Sequence, residues 1–220
     1  MIKSPSSKTD YLSSRNLAER LDREFFRREP DSVARDLVGC ILVRFVAGEP
    51  VSGRIVETEA YGDESDLASH AAVYRRSRSE IMRSEPGTVY VYRSYGVHFC
   101  FNIVAHLYHG AGAVLIRAAE PLQGAELMAN RRGTHTDGAI ANGPGRLAQA
   151  FALTVADNGI DVVASNDIMV SARENYTAVK ESPRIGISRD VERCWRFFDP
   201  CSLALSRRLP LTKKSGSGPC

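Results

Sequence analysis

A chain of 220 residues, 43% hydrophobic and 25% charged, has the composition of a globular protein able to bury one sizeable core. Its formal net charge of +3 permits a polyanion as partner without requiring one. No apolar run is long enough to span a membrane, "MIKSPSSKTD" is no secretory leader, and five scattered cysteines without a C-x-x-C pair read as thiols, so a cytoplasmic chain with neither disulfide framework nor zinc site is expected.

The polar ends, about residues 1–14 and 212–220, are expected to be loosely held around a single domain that fills the chain. In "PDSVARDLVG", Asp31 or Ser32 is placed to cap a helix carrying Val33, Leu37 and Val38, with Gly39 as its stop. "CILVRFV" predicts a buried strand, "AGEPVSG" a turn and "RIVETEAY" the next strand. An arginine-rich polar stretch follows. After it come a strand "TVYVYR", a turn "SYG", a strand "VHFCFNIVAH", a glycine-rich loop and the strand "VLIRAAEP". "LQGAELMANRR" and "GRLAQAFAL" predict helices, while "DIMVSA", "PRIGIS" and "WRFFDP" predict later strands. Strands joined by short turns, with helices between them, indicate an α+β fold on a curved antiparallel sheet flanked by helices.

In a regular strand Ile55, Glu57, Glu59 and Tyr61 share one face, and Arg54, Val56, Thr58 and Ala60 the other, with the two carboxylates ~7 Å apart. One reading is a solvated sheet face. The other is a carboxylate serving as general base for water beside an aromatic pocket, and the poor fit of glutamate to strands asks for such a reason. Across the hairpin, Val89, Val91, Val97, Phe99, Phe101 and Ile103 suffice for a core side. Tyr90, Tyr92, His98 and Asn102 are left on a polar, aromatic side, with Tyr90 and His98 read as packing residues. Tyr95 precedes Gly96 at the tip, where strand neighbours give least cover, and suits stacking on or wedging between bases. Arg117 lies in an otherwise apolar strand and needs an anion: Glu57, Glu59 or a phosphate. Arg146, after a Gly-Pro-Gly turn, and the cluster Arg75, Arg76, Arg78 and Arg83 are candidates for phosphate contact or for plain solvation. Zinc spacing, a Walker-type loop and a nucleophile elbow are all missing from the sequence, so no metal or cofactor is expected.

In this order, "RIVETEAY", "PGTVYVYRSYGVHFCFNI", "AVLIRAAEPLQG" and "NGPGRLAQAFAL" resemble the alkyladenine (3-methyladenine) DNA glycosylases of the mammalian type, including their bacterial members, over residues 35–153. The resemblance implies a curved antiparallel sheet and hydrolysis of the N-glycosidic bond of damaged purines flipped out of double-stranded DNA: 3-methyladenine, 7-methylguanine, hypoxanthine and ethenoadenine. It implies Glu59 as the base that activates water and Arg117 as the arginine holding that water and a nearby phosphate. Tyr61, His70 and Tyr92 would enclose the flipped base, Asn102 would exclude normal guanine, and Tyr95 would fill the gap left in the duplex. No lysine occupies a matching catalytic place, so a monofunctional enzyme without strand cleavage is expected. It would act as a monomer, associated with the nucleoid through DNA and with no membrane partner. After His70 the chain reads "RRSRSE", without the family's proline and asparagine, and residues beyond 153 match too loosely to carry roles over. Two alternatives stand: a non-catalytic binder of distorted DNA, opposed by Glu59 with Arg117, and a hydrolase of free nucleosides, opposed by Tyr95 with the arginine cluster.

Overall fold

The computed structural model describes residues 19–74, 78–136, 138–173, 175 and 177–207, with only the backbone of Arg78 and Ser79. The two ends expected to be loosely held lie outside the described residues. Helix α1 (Arg23–Phe26) is capped by Asp22, whose side chain accepts from the Phe25 N–H. Helix α2 (Pro30–Leu37) turns Val33, Ala34 and Leu37 inward. The expected caps Asp31 and Ser32 fall inside its first turn. Pro30 takes the first helical position, where a missing N–H leaves no bond unmade, and Glu29 precedes it as N-cap.

Eight strands follow the sequence: β1 (Ile41–Val46), β2 (Glu49–Tyr61), β3 (Val89–Ser94), β4 (His98–Val104), β5 (Ala113–Gln123), β6 (Ile168–Ser171), β7 (Lys180–Ser182) and β8 (Arg196–Phe198). They form one curved sheet of order β3-β4-β5-β2-β1-β6, with β8 beside β2 and β7 beside β8, and every pairing is antiparallel. The α+β reading of the sequence therefore holds. The chain between β2 and β3 contributes the short helices α3 (His70–Val73) and α4 (Arg78–Ile81). Helices α5 (Ala125–Arg132) and α6 (Pro144–Ala150) and a 3-10 turn at Val155–Asp157 follow β5. "PRIGIS" does not form the expected strand: only Ser182, just before it, belongs to β7, and residues 183–188 run as irregular chain. The turn read in "AGEPVSG" shrinks to Ala47 and Gly48, because Glu49 onward already belongs to β2. Helix α5 starts only after Gly124, at φ 67°, so Leu122 and Gln123 end β5.

Strand β2 organises the molecule. Its first half pairs with β1 and its second with β8, while β5 runs along its other edge. Register shifts against β5 fall between Ile55 and Glu57 and between Glu57 and Thr58. This bulge changes the expected sharing of faces, since an extra residue reverses the alternation beyond it. Ile55 packs in the main core, whereas Val56 joins Ala118, Phe198, Ala204 and Leu205 in a separate cluster. Thr58 and Ala60 turn to the helix side, where the Thr58 hydroxyl donates to the Ala34 carbonyl at 2.7 Å. Glu57 and Glu59 are released to the opposite side.

The main core gathers Phe26, Leu37, Phe101, Ile116 and Phe151 between the sheet and helices α2, α5 and α6. Val89, Val91, Phe101 and Ile103 join it as the hairpin pattern required, but Val97, two residues past the tip, is 69% exposed. Cys40, Cys100 and Cys201 are free thiols, while Cys194 is disulfide-bonded, a departure from the all-thiol reading. Among the described residues no helix is long and apolar enough to cross a membrane.

Candidate active site

Two buried glutamates and one arginine meet where β2 and β5 run together. Glu59 is fully buried. Its Oε1 accepts from the Ile185 N–H at 2.6 Å, and its Oε2 accepts from the Tyr61 hydroxyl at 2.9 Å and from Arg117 Nη1 at 3.0 Å. Arg117 also donates through Nε to Glu57 Oε1 at 3.0 Å and through Nη2 to Ser206 Oγ at 3.2 Å. Glu57 in turn accepts from Arg196 Nε at 2.7 Å, Ser206 Oγ at 2.7 Å and the Ser206 N–H at 2.6 Å. Arg117 thus finds both carboxylates that the sequence offered it.

The two acids are tuned apart. Burial lifts the Glu59 carboxyl above the ordinary glutamate range, against the pull of Arg117, the Ile185 N–H and the Tyr61 hydroxyl. Burial presses Glu57 the same way, but Arg196 and Arg117 with the Ser206 hydroxyl outweigh it and hold Glu57 below that range. Burial, then the neighbouring Glu59 carboxylate, raises the Tyr61 phenol well above its usual value. Tyr61 therefore stays a neutral donor. A buried carboxylate with raised proton affinity beside a fixed guanidinium is suited to take a proton from water.

His70 reaches the same place through a tied-down loop. Arg184 and Asp66, whose side chains are fully buried, form a two-bond fork: Nη1 to Oδ2 at 2.6 Å and Nη2 to Oδ1 at 2.8 Å. Asp66 also accepts from the Gly62 and Ala68 N–H groups, and Arg184 donates to the Ala60 carbonyl while lying 4.9 Å from the Tyr61 ring centre. Ser69 caps α3 by accepting from the Ala71 N–H, which leaves His70 as the first helical residue. The His70 Nδ1 lies 2.7 Å from the Tyr90 hydroxyl. Its ring meets Tyr92 edge-on at 4.5 Å and Tyr74 at 5.1 Å. Asp66→Ala is expected to leave Arg184 charged and unpaired in the interior, a loss of about 3–5 kcal/mol. That lowers Tm by roughly 6–20 °C at this chain length. A calorimetric Tm within a degree of the unaltered protein would remove the fork from this role.

A cleft of about 920 Å³ opens over these groups, lined by Tyr61, His70, Tyr92, Asn102 and Arg117, with Tyr95 and Arg93 at one side. Glu59 lies behind the lining. Asn102 is held by its amide nitrogen, which donates to the Tyr90 carbonyl at 3.0 Å and the Cys100 carbonyl at 3.2 Å. Tyr95 has φ 49° and Gly96 φ 69°, the positive values that a tight hairpin turn demands at both central residues, and the Val97 N–H closes the turn on the Ser94 carbonyl at 3.1 Å. The tyrosine is 93% exposed.

Seven sequence candidates thus fall at one place: Glu59, Arg117, Tyr61, His70, Tyr92, Asn102 and Tyr95. Arg146 does not join them. It is exposed, outside the lining, and donates to Asn142 Oδ1 at 2.8 Å. The Gly-Pro-Gly turn ahead of it has a packing reason, because a Cβ on Gly145 would stand 2.9 Å from His98 Cβ. Arg75 and Arg76 lie outside the described residues, as does the side chain of Arg78, while Arg83 is paired with Glu64. Tyr90 is buried as read, but His98 is exposed at the base of the tip. Arg184, Arg196 and the stretch Ile185–Arg189 along the cleft escaped the sequence reading. The rule that singled out Arg117 could have found the two arginines, since each sits in an apolar run. Among the described residues no three His, Cys, Asp or Glu side chains converge as metal ligands.

A buried acid with an arginine at the back of an aromatic cleft is an arrangement suited to hydrolysis beside a flat ring. The family model for methylpurine-DNA glycosylase (MPG) matches residues 24–202. A protein of Methanocella arvoryzae is 42% identical over 194 residues, covering 86% of this chain and 97% of its own length. One of Rhodopseudomonas palustris (strain BisB18) is 41% identical over 181 residues, 82% of this chain and 88% of its own. One of Clostridium perfringens (strain SM101) is 39% identical over 195 residues, with coverage of 81% and 95%. All three are provisionally named 3-methyladenine DNA glycosylases. The chain belongs to the methylpurine-DNA glycosylase family, enzymes that hydrolyse N-glycosyl bonds in DNA.

Proposed function

We propose that the protein releases damaged purines (3-methyladenine, 7-methylguanine, hypoxanthine and ethenoadenine) from double-stranded DNA and leaves an abasic site without cutting the strand. The observation that carries this reading is the Glu59–Arg117 pair behind a cleft walled by Tyr61, His70 and Tyr92. A nucleotide in duplex DNA reaches such a cleft only by leaving the stack. The flipped base would lie among the three rings, which favour a purine carrying positive charge after alkylation. Asn102, locked by two backbone carbonyls, would present a fixed edge that crowds the 2-amino group of normal guanine.

The reaction follows from these placements. The C1′–N9 bond breaks with its electron pair going to the base, and an alkylated base departs neutral because it began as a cation. Water bonds to C1′, and its proton passes to Glu59. Arg117 fixes the water and a nearby phosphate, and the Glu59 charge stabilises the oxocarbenium character of the sugar. Among the described residues no lysine lines the cleft to form a Schiff base, and we read the enzyme as a monofunctional hydrolase; on the same reading it acts as a monomer on cytoplasmic, nucleoid DNA. Incubation with duplex oligonucleotides carrying 7-methylguanine or hypoxanthine, followed by alkali, is expected to yield strand breaks at the lesion and none before alkali. Absence of breaks on every lesion, from folded protein that binds the duplex, would overturn the proposal.

A further inference from the structure

We infer that Glu57 is a positioning residue for this reaction: with Arg196 and Ser206 it restricts Arg117 to a single bond with Glu59, so that the arginine keeps N–H groups for the cleft and Glu59 keeps a carboxylate able to accept a proton. The inference rests on the proposed glycosylase reading for its catalytic meaning and on geometry for the rest. A guanidinium has five N–H groups and forks readily onto a carboxylate through two of them. Among the described residues Arg117 makes one bond to Glu59, one to Glu57 and one to Ser206, which engages three of the five, and the side chain lines the cleft. Without the Glu57 anchor, the favoured arrangement is the two-bond fork on Glu59. That fork would seal the base in an ion pair and draw the guanidinium from the cleft.

Glu57 is itself held from three sides, by Arg196 from β8 and by the hydroxyl and N–H of Ser206. Arg196 is fixed in turn by Ser182 Oγ at 3.0 Å and the Arg207 carbonyl at 2.6 Å, and stacks on Phe198 at 4.4 Å. Two carboxylates and two guanidiniums make a cluster that is neutral only when both acids are ionised. The segment after β8, to which no role was transferred from the sequence, thereby supports the centre of the site.

The charged and titrating groups around Glu59 come from the neighbouring elements: Glu57 and Tyr61 on β2, Arg117 on β5, Arg196 opposite Glu59 on β8, Tyr92 on β3, Cys100 on β4, and Arg184 in the chain before β8. Glu57 is the one carboxylate among them and raises the proton affinity of Glu59, in line with the geometry.

Glu57→Gln keeps the size of the side chain and removes its charge. Two measurements on this variant and the unaltered protein test the inference. In δ-13C-glutamate-labelled protein, with the Glu59 resonance assigned from Glu59→Gln, the Glu59 titration is expected to move to lower pH. This reading needs no turnover and holds even if the substrate class is wrong. On a 7-methylguanine duplex, the single-turnover rate is expected to fall roughly 10- to 100-fold with the duplex affinity unchanged. An unmoved Glu59 titration, or an unaltered rate with only Tm reduced, would overturn the positioning role. Should Glu57→Gln not fold, Ser206→Ala removes one Arg117 restraint at a half-buried position. A rate loss of about tenfold at constant affinity is then expected, and an undiminished rate overturns the inference.

Discussion

Glu59→Gln is expected to reduce base release by about 10²- to 10⁴-fold, the range associated with loss of a positioned general base, while binding of the lesion duplex stays close to that of the unaltered protein. The amide fills the same space, and its oxygen can still accept from the Ile185 N–H that now meets Oε1. What it cannot do is take a proton from water. Binding is expected to survive because the cleft walls, Tyr61, His70 and Tyr92, are left in place. The unaltered enzyme carries a second signature of the same residue. A general base works only when unprotonated, and burial raises the proton affinity of Glu59. Activity is therefore expected to fall as pH drops through a limb lying above the ordinary glutamate value of ~4.3. Glu57, held below its usual range by Arg196 and Arg117 against burial, is already ionised across that window and contributes no limb there. Rates on a 7-methylguanine duplex, corrected for spontaneous base loss, measure both effects. Retained turnover in Glu59→Gln would transfer the base to another group, and a limb at or below the ordinary range would contradict the buried-carboxylate account.

The fold and site were legible to different depths, for physical reasons. Alternation in "VYVYRSYGVHFCFN" located the hairpin because one of its faces is buried and the other lines a cleft, so period two survives in the residue types. The same rule misplaced Ile55 and Val56, since a bulge leaves no mark in composition while it reverses every side chain beyond it. Arg117 was legible as a cation in an apolar strand needing an anion, and both carboxylates offered for it are bound. For Arg184 the same rule asks for an anion without naming it. "PRIGIS" has the residue types of a strand, yet its arginine is committed to Asp66, more than a hundred positions earlier, and no local pattern encodes a fork across that separation. The strand failed because the Ile185 N–H, instead of joining a ladder, bonds Glu59. The basic residues are the ones local pattern decides least: Arg83 pairs with Glu64, Arg146 donates to its neighbour Asn142 while staying exposed, and Arg75 and Arg76 lie outside the described residues.

Tyr95→Ala is expected to lower excision from duplex DNA roughly 5- to 150-fold, which corresponds to the ~1–3 kcal/mol that a base–aromatic stack contributes, with a much smaller loss on a single strand. The phenol is bare in the free protein, and the backbone beneath it sits at φ 49°, a conformation that disfavours any side chain. A tyrosine there gains nothing from its own fold, whereas glycine would relieve the turn. Flipping a nucleotide leaves two neighbours unstacked around a hole, and a flat ring entering it restores the lost contacts on both sides. Only the duplex has a partner base and a closed stack around that hole, so the benefit of the ring should be confined to double-stranded substrate. Alanine retains the Cβ and hence the backbone strain, and no packing is removed, so Tm should not move. That separates a recognition defect from a folding defect in one pair of measurements. The deciding quantity is the ratio of kcat/KM on the same lesion in double- and single-stranded form. A ratio equal to that of the unaltered protein would mean that Tyr95 acts on the flipped nucleotide, or on the phosphates near Arg93, instead of on the gap.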